Sequence, residues 1–372
     1  MVKFGNIVRD VKINVDRSNN PYKHYVAGDH MDSEDLTIHR HGDFATDDVG
    51  PAFTRIFRPG QILYGSRRTY LKKIAVADFS GICANTTFVL ESKDETVFLT
   101  RLLPFIMLSE SFTRWSIAHS KGSTNPYVLF SDLADYEFDL PPIDEQRILA
   151  DKLWAAYRLN ESYKKLLTAT QEMVKSQFIE MFGNGNWEQK ALGEVGTFKR
   201  GGGFQKSNYV ERGIPCIHYG QIHTKFGPFI YSHVTEISSD LESKTKFATK
   251  GDLIIAITSE DTEGSCKSTA WLGDYPVAVG GHAAIFHHCM NPVYMSFFFK
   301  SALFNYAKKE YVHGTKVCEI KPDDIAKILV PYPPMSLQEE FSLIAQQADK
   351  SEFELLKSIE AIDQVIKSLI NN

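Results

Sequence analysis

Apolar and shielded positions along this chain switch between two periods, and the switch happens twice. From residue 149, Leu149, Leu153, Ala156, Asn160, Tyr163, Leu167, Thr170, Val174, Gln177 and Met181 recur at alternating steps of 4 and 3. The same steps return at Ala348, Glu352, Leu355, Ile359, Ile362, Ile366 and Leu369. A period near 3.5 residues predicts a long helix packing along a coiled-coil seam. Neither stretch contains Gly or Pro, and Gly183-Asn184-Gly185-Asn186 predicts a sharp stop to the first helix. Ahead of each helix the pattern shortens. Ile62-Leu63-Tyr64, Thr87-Phe88-Val89-Leu90, Leu253 to Thr258 and Pro276 to Val279 are β-type runs broken by Gly, Pro, Asn and Asp. A helical patch follows in each half (Val97 to Ser109; Tyr294 to Lys308), and then a proline-containing exit.

The two halves match in detail. Phe4-Gly5-Asn6-Ile7-Val8 is echoed by Leu192-Gly193-Glu194-Val195-Gly196, and Arg58-Pro59-Gly60-Gln61-Ile62-Leu63 by Thr249-Lys250-Gly251-Asp252-Leu253-Ile254. Lys121-Gly122-Ser123 is echoed by His313-Gly314-Thr315, and the run from Pro141 to Ile148 by the run from Pro333 to Phe341. Each single match is weak, but four in the same order and near-constant spacing describe a duplication. The predicted fold is α+β. Two tandem α/β domains at residues 1–142 and 187–332 are each followed by a long helix, at 143–186 and 333–372. The two helices are expected to pair as an antiparallel coiled coil, because a pseudo-twofold relates duplicated units. A helix of roughly 35 residues spans about 50 Å, enough to act as a rigid spacer.

Composition constrains the class more than the activity. The chain has 372 residues, 43% of them hydrophobic and 23% charged, as in an ordinary two-domain globular protein. No stretch reaches the roughly 20 apolar residues of a membrane span, and no apolar signal-like run opens the chain. Five cysteines without a C-x-x-C pair argue against a disulfide framework or zinc knuckle and for the reducing cytoplasm. The net charge of −5 divides unevenly: −2 over residues 1–142, 0 over 143–186, +1 over 187–332 and −4 over 333–372. The acidic excess therefore lies mainly in the last helix, and local patches must decide whether either domain meets phosphate.

One constellation carries a family resemblance. The second half opens Leu192-Gly193-Glu194-Val195. It continues through the glycine-rich turn Arg200-Gly201-Gly202-Gly203, then Gly251-Asp252-Leu253-Ile254-Ile255, then His282-Ala283-Ala284-Ile285, and ends in Pro331-Tyr332-Pro333-Pro334 with Gln338-Glu339 before the helix. This pattern, present twice and looser over residues 10–120, resembles the specificity subunit of type I restriction–modification systems. The resemblance implies two target recognition domains, each reading one half of a bipartite site on double-stranded DNA, with the helices setting the gap. It implies a non-catalytic chain that recruits two adenine-N6 methyltransferase subunits and, beyond them, restriction/translocase subunits. S-adenosylmethionine, ATP and Mg²⁺ then belong to those partners and none to this chain.

From the residues themselves, the DNA-facing candidates are basic side chains near aromatic ones. In the first domain Arg67, Arg68, Lys72 and Lys73 surround Tyr70 between two strand-like runs. In the second, Lys199, Arg200, Lys206 and Tyr209 flank the glycine turn, and Lys225, Lys244, Lys246 and Lys267 lie in polar loops. Lys and Arg would hold phosphates while loop side chains read base edges. No catalytic or metal site is assigned. Asn291-Pro292-Val293-Tyr294 lacks the second proline of an adenine-holding loop. No phosphate-binding G-x-x-x-x-G-K-[ST] run exists, Asp261 and Glu263 lack the basic residue of a nuclease, and His30, His39 and His41 form a loose polar cluster beside Asp29, Asp32 and Asp43. Two other readings stay open: a protein-interaction scaffold, and a stand-alone DNA-modifying enzyme.

Overall fold

The computed structural model describes residues 1–16, 19–183, 187–314 and 318–371, and of Lys206 the backbone alone. The expected stop at Asn184 to Asn186 and the Thr315 end of one repeat echo lie outside the described residues. The chain divides into two compact units, Met1–Lys165 with Leu356–Asn372, and Leu166–Leu355. Each is described in turn, and each contains one head and a portion of both long helices.

In the first unit, one sheet runs Val8–Asp10, Thr87–Ser92, Ile62–Gly65, Ile74–Val76, antiparallel throughout. A second runs Gly42–Asp43, His24–Val26, Gly81–Ala84, Phe53–Phe57, with its middle pair parallel. In the second unit the first sheet repeats this order as Gly196–Arg200, Ala283–His288, Leu253–Ala256, Ser268–Trp271, extended by Phe229–Ile230. Its second sheet carries Thr235–Ile237, Ile214–Ile217, Val277–Val279 and Lys246–Ala248, again with the middle pair parallel, extended by Tyr209–Val210. The duplication seen in sequence is thus a duplication of topology.

The echoes have physical causes. Gly60 and Gly251 sit at φ +87° and +96°, and Gly122 and Gly314 at +88° and +103°, the left-handed region that favours glycine. Beside the first pair, the Gln61 carboxamide accepts from Arg58 N at 2.8 Å and donates to Glu91 at 2.6 Å. At the matching place the Asp252 carboxylate accepts from Thr249 N at 2.7 Å and pairs with His287 Nδ1 at 2.6 Å. The geometry is kept while the chemistry is exchanged.

The helical patches differ from expectation at a serine in each half: the second is broken there into two helices, while the first ends there as expected but is followed at once by a further helix. Leu103–Leu108 and Glu110–Ala118 meet at Ser109, and Pro292–Lys300 and Ala302–Ala307 meet at Ser301. Each serine is extended and caps the next helix, its Oγ accepting from Phe112 N and Phe304 N, both at 3.2 Å.

The long helices run Ile143–Phe178, followed by a wider turn at Ile179–Gly183, and Met335–Asn371. Every member of both predicted stripes is buried or half-buried, while most of the remaining helical surface is exposed. The proline exits are held by a buried glutamine in each copy. Gln146, 0% exposed, donates Nε2 to the carbonyls of Val97 and Pro141, both at 2.9 Å, and accepts from Leu99 N at 3.1 Å. Gln338, 1% exposed, donates to Pro333 O at 2.8 Å and accepts from Asn291 N at 2.9 Å. Among the described residues no helix is long and apolar enough to cross a membrane.

Replacing either glutamine by alanine would orphan these buried backbone groups, so Gln146→Ala and Gln338→Ala should each lower stability by about 2 kcal/mol. Urea denaturation measures this, and a change under about 0.5 kcal/mol would show that the carboxamides do not hold the junction.

Candidate nucleic-acid interface

The strand Ile62–Gly65 ends in a loop whose backbone is tied on both sides. Arg67 bridges to Tyr127, Arg68 N donates to Pro126 O at 2.7 Å, and Val128 N to Ser66 O at 2.9 Å. Buried Thr69 meets Ser120 at 3.2 Å. The turn Thr69–Leu71 lies between two left-handed residues, Arg68 at φ 51° and Lys72 at φ 47°, a conformation uncommon outside glycine that persists only when its surroundings enforce it. The strain holds Arg67, Arg68 and Tyr70 outward. Tyr70 is 53% exposed, Tyr127 beside them 39%, and neither arginine has an ion-pair partner among the described residues. Two other candidates turn away from this role. Lys72 pairs with Glu34 at 2.7 Å, and Lys73 donates to the Gly28 carbonyl.

In the second head, strand Gly196–Arg200 runs into the glycine turn. Gly201 N donates to Ala283 O at 2.9 Å and Gly202 N to Val279 O at 2.8 Å. A Cβ at Gly201 would lie 2.3 Å from Gly280 O, and one at Gly202 would lie 2.7 Å from Thr245 Cα. The glycines thus let the chain pass between two backbones, which puts Arg200 and Lys244 on one edge. Arg200 is held there by Gly281 O at 2.9 Å and Glu319 at 3.2 Å. Lys199 and Lys244 are exposed, and Tyr209 is half-buried with its ring over His218 at 5.6 Å. Lys225 follows the helix Tyr219–Thr224, Lys246 opens its strand and Lys267 precedes Ser268–Trp271, so these exposed lysines are scattered rather than gathered at the turn. The Lys206 side chain lies outside what is described.

Three residues not anticipated as a group complete this edge. Tyr219, 40% exposed, has its ring 5.2 Å from His282 and 5.9 Å from His223, and His223 Nε2 lies 3.1 Å from Thr258 O. Their neighbour His218 has its pKa lowered by burial and by the Lys225 charge, which favours a neutral ring at pH 7. The dipeptide His218-Tyr219 and His223 were visible in sequence. Their meeting with His282 depends on the parallel pairing of Ile214–Ile217 with Val277–Val279.

Other conspicuous groups serve the fold. Asn291 caps its helix through Val293 N at 2.9 Å, Pro292 takes the first helical position, and buried Tyr294 donates to Pro331 O at 2.8 Å. His287 pairs with Asp252, and burial pushes His288 down to about 4. Asp35, His39 and Glu161 place ligand-type atoms within 4.8 Å of one another. They are already engaged: Asp35 accepts from Tyr157 OH at 2.7 Å and meets His39 at 3.0 Å, while Glu161 meets Lys164 at 2.9 Å. Burial pushes the Cys83 and Cys266 thiols up to about 12, too high for a thiolate at neutral pH.

The family model for the type I restriction modification DNA specificity domain matches residues 30–170 and again 184–364. The chain belongs to this family. Over 109 residues, 29% of the chain, it is 29% identical to the specificity subunit of the type I restriction enzyme EcoDI of Escherichia coli, a match spanning 24% of that relative. Over 314 residues it is 22% identical to the specificity subunit of the type I restriction enzyme MjaVIII of Methanocaldococcus jannaschii, covering 78% of this chain and 73% of that one. The solved S subunit of a type I restriction–modification system from M. genitalium shares the fold, with a TM-score of 0.60 at 14% identity over 100% of this chain and 95% of that one. As a type I specificity chain, this protein belongs to a family concerned with recognising DNA sequence.

If Arg67 and Arg68 are the DNA-facing residues of this loop, Arg67→Ala and Arg68→Ala should each weaken duplex binding by about tenfold at every salt concentration. Lys72→Ala, already occupied by Glu34, should do much less. Fluorescence anisotropy across a salt series reads both, and equal losses in all three would place the DNA elsewhere on this head.

Proposed function

We propose that the chain is the recognition subunit of a type I restriction–modification complex, reading a two-part sequence on double-stranded DNA with one head for each part. The observation that carries this reading is the duplicated head, each copy presenting an exposed edge of basic and aromatic side chains on a rigid sheet. Direct readout needs such side chains in the major groove, with phosphate contacts fixing register. The chain itself supplies recognition and no chemistry. Two methyltransferase subunits and the restriction/translocase subunits bind to it, and S-adenosylmethionine, ATP and Mg²⁺ act in those partners, in the cytoplasm.

The long helices are proposed to pair as an antiparallel coiled coil that sets the gap. Two hydrogen bonds support this, one within each compact unit: Asn160 Nδ2 to Asp363 at 2.7 Å and Gln171 Nε2 to Glu352 at 3.0 Å. Within the first unit, Ile366, Leu369 and Ile370 pack into the same core as Leu149 and Leu153, so later residues of the last helix lie with earlier residues of the first, which supports an antiparallel direction. Asn160 is 2% exposed within the apolar stripe, and a single buried asparagine is a known device for fixing register at some cost in stability.

Methylation mapping of DNA from cells expressing the chain with a cognate methyltransferase subunit tests the proposal. N6-methyladenine should appear at a two-part motif with a fixed gap, and only when the chain is present. No new motif beside an active methyltransferase would favour an interaction scaffold. Inserting four residues near Thr170, about one helical turn, should change the preferred gap; an unchanged gap would remove the helices from that role.

A further inference from the structure

In both heads one loop leaves the same place in the fold. It follows Ile62–Gly65 and precedes Ile74–Val76 in the first head, and follows Leu253–Ala256 and precedes Ser268–Trp271 in the second, between strands that pair antiparallel. Each loop ends in a left-handed non-glycine residue directly before a lysine: Lys72 at φ 47° before Lys73, and Cys266 at φ 61° before Lys267. Each is also stitched to the same later segment. Arg67 pairs with Tyr127, which pairs with Lys121; Thr258 pairs with Glu319, which pairs with His313.

The charge of the two loops is opposite. The first carries Arg67, Arg68, Lys72 and Lys73 and no acid, whereas the second carries Glu260, Asp261 and Glu263 with Lys267 alone. The second loop is built around a buried cation. Lys308, 2% exposed, stands as far past the capping Ser301 as Ser116 stands past Ser109, and donates Nζ to Glu263 O at 2.9 Å and Ser265 O at 2.6 Å. It therefore holds backbone carbonyls and leaves the carboxylates outward. Asp261 uses one oxygen on Gly264 N, while Glu260 and Glu263 are exposed with no ion-pair partner among the described residues. At the stem, Thr258 is 7% exposed and its hydroxyl has no partner among the described residues. This stem adjoins the Arg200 edge, since Glu319 pairs with both Thr258 and Arg200, and His223 meets Thr258 O.

Carboxylates beside DNA are repelled by phosphates and are favourable only where they meet amino groups on base edges. Resting on the recognition reading above, we infer that this loop discriminates bases in each head, and that the two loops select opposite chemistry. Arg67 and Arg68 take the paired acceptors of guanine. Glu260 and Glu263 take the exocyclic amino group of cytosine or adenine.

Selection from randomised double-stranded DNA by the chain with its methyltransferase subunit, followed by sequencing, tests this. Glu260→Gln with Glu263→Gln should lose about tenfold or more of the discrimination at one or two base pairs in one half of the motif. Arg67→Ala with Arg68→Ala should do so in the other half, each leaving the opposite half unchanged. Thermal melts confirm that these surface changes leave the fold intact. Tighter overall binding by the glutamine variant, with every base preference retained, overturns the assignment by making the carboxylates a repelling surface only. A wild-type chain that enriches no two-part motif overturns the recognition reading itself, and this assignment with it.

Discussion

The direction in which each long helix leaves its head rests on one buried carboxamide. A double proline cannot donate hydrogen bonds, and while the helix matches the carbonyls of Pro142 and Pro334, those of Pro141 and Pro333 precede it and need another donor. Gln146 and Gln338 reach back from the first helical turn to meet Pro141 O and Pro333 O, and accept from Leu99 N and Asn291 N at the start of each helical hairpin. Each side chain therefore ties three segments that are distant in sequence: sheet exit, hairpin and long helix. The spacer role proposed for the helices needs rigidity where they join the heads. A buried amide satisfied on both ends supplies that, because any rotation of the helix about the junction would leave polar groups without partners.

With the junction fixed, the heads are free to differ elsewhere, and they do so in an ordered way. Positions that set backbone geometry are repeated, as with the left-handed glycines at 60 and 251 and the capping serines at 109 and 301. Positions that only need complementary partners have exchanged chemistry, as Gln61 with Glu91 against Asp252 with His287. Surface loops have changed sign altogether. This ranking follows from what each substitution would cost: backbone strain and a lost cap cannot be recovered locally, a polar pair can be replaced as a pair, and an exposed charge costs little.

The same ranking explains what could be read in the sequence. The long helices were legible because a 3.5-residue stripe is a local signal, and each stripe residue is shielded in the structure. The repeat was legible because glycines and prolines report backbone constraints directly. The break at Ser301 was missed because the apolar pattern continues across it, and at Ser109, where the first patch was expected to end, the following helix Glu110–Ala118 was missed. The candidate interface was only half legible. Arg67, Arg68 and Tyr70 are exposed together, yet Lys72 and Lys73 are drawn off by Glu34 and by the Gly28 carbonyl, in a segment with no repeat echo to announce it. Tyr219, His223 and His282 meet only because two strands far apart in sequence run parallel, and no local pattern encodes that.

Charge distribution adds a constraint on how the chain could engage DNA. A net charge of −5 gives no general attraction to a polyanion, and the −4 carried by residues 333–372 opposes contact along the last helix. Non-specific affinity, which grows with each phosphate neutralised, is correspondingly limited. The acidic loop of the second head lowers it further, because Glu260, Asp261 and Glu263 are exposed on a loop whose stem is linked to Arg200 through Glu319. A protein searching a genome full of competing sites benefits less from raw affinity than from the ratio between right and wrong sequences. Exposed carboxylates worsen every encounter except one that presents amino groups at the right positions. A weakly attractive frame with a few directional contacts on loops held by buried lysine and threonine side chains is therefore suited to discrimination, and its overall acidity works with that role rather than against it.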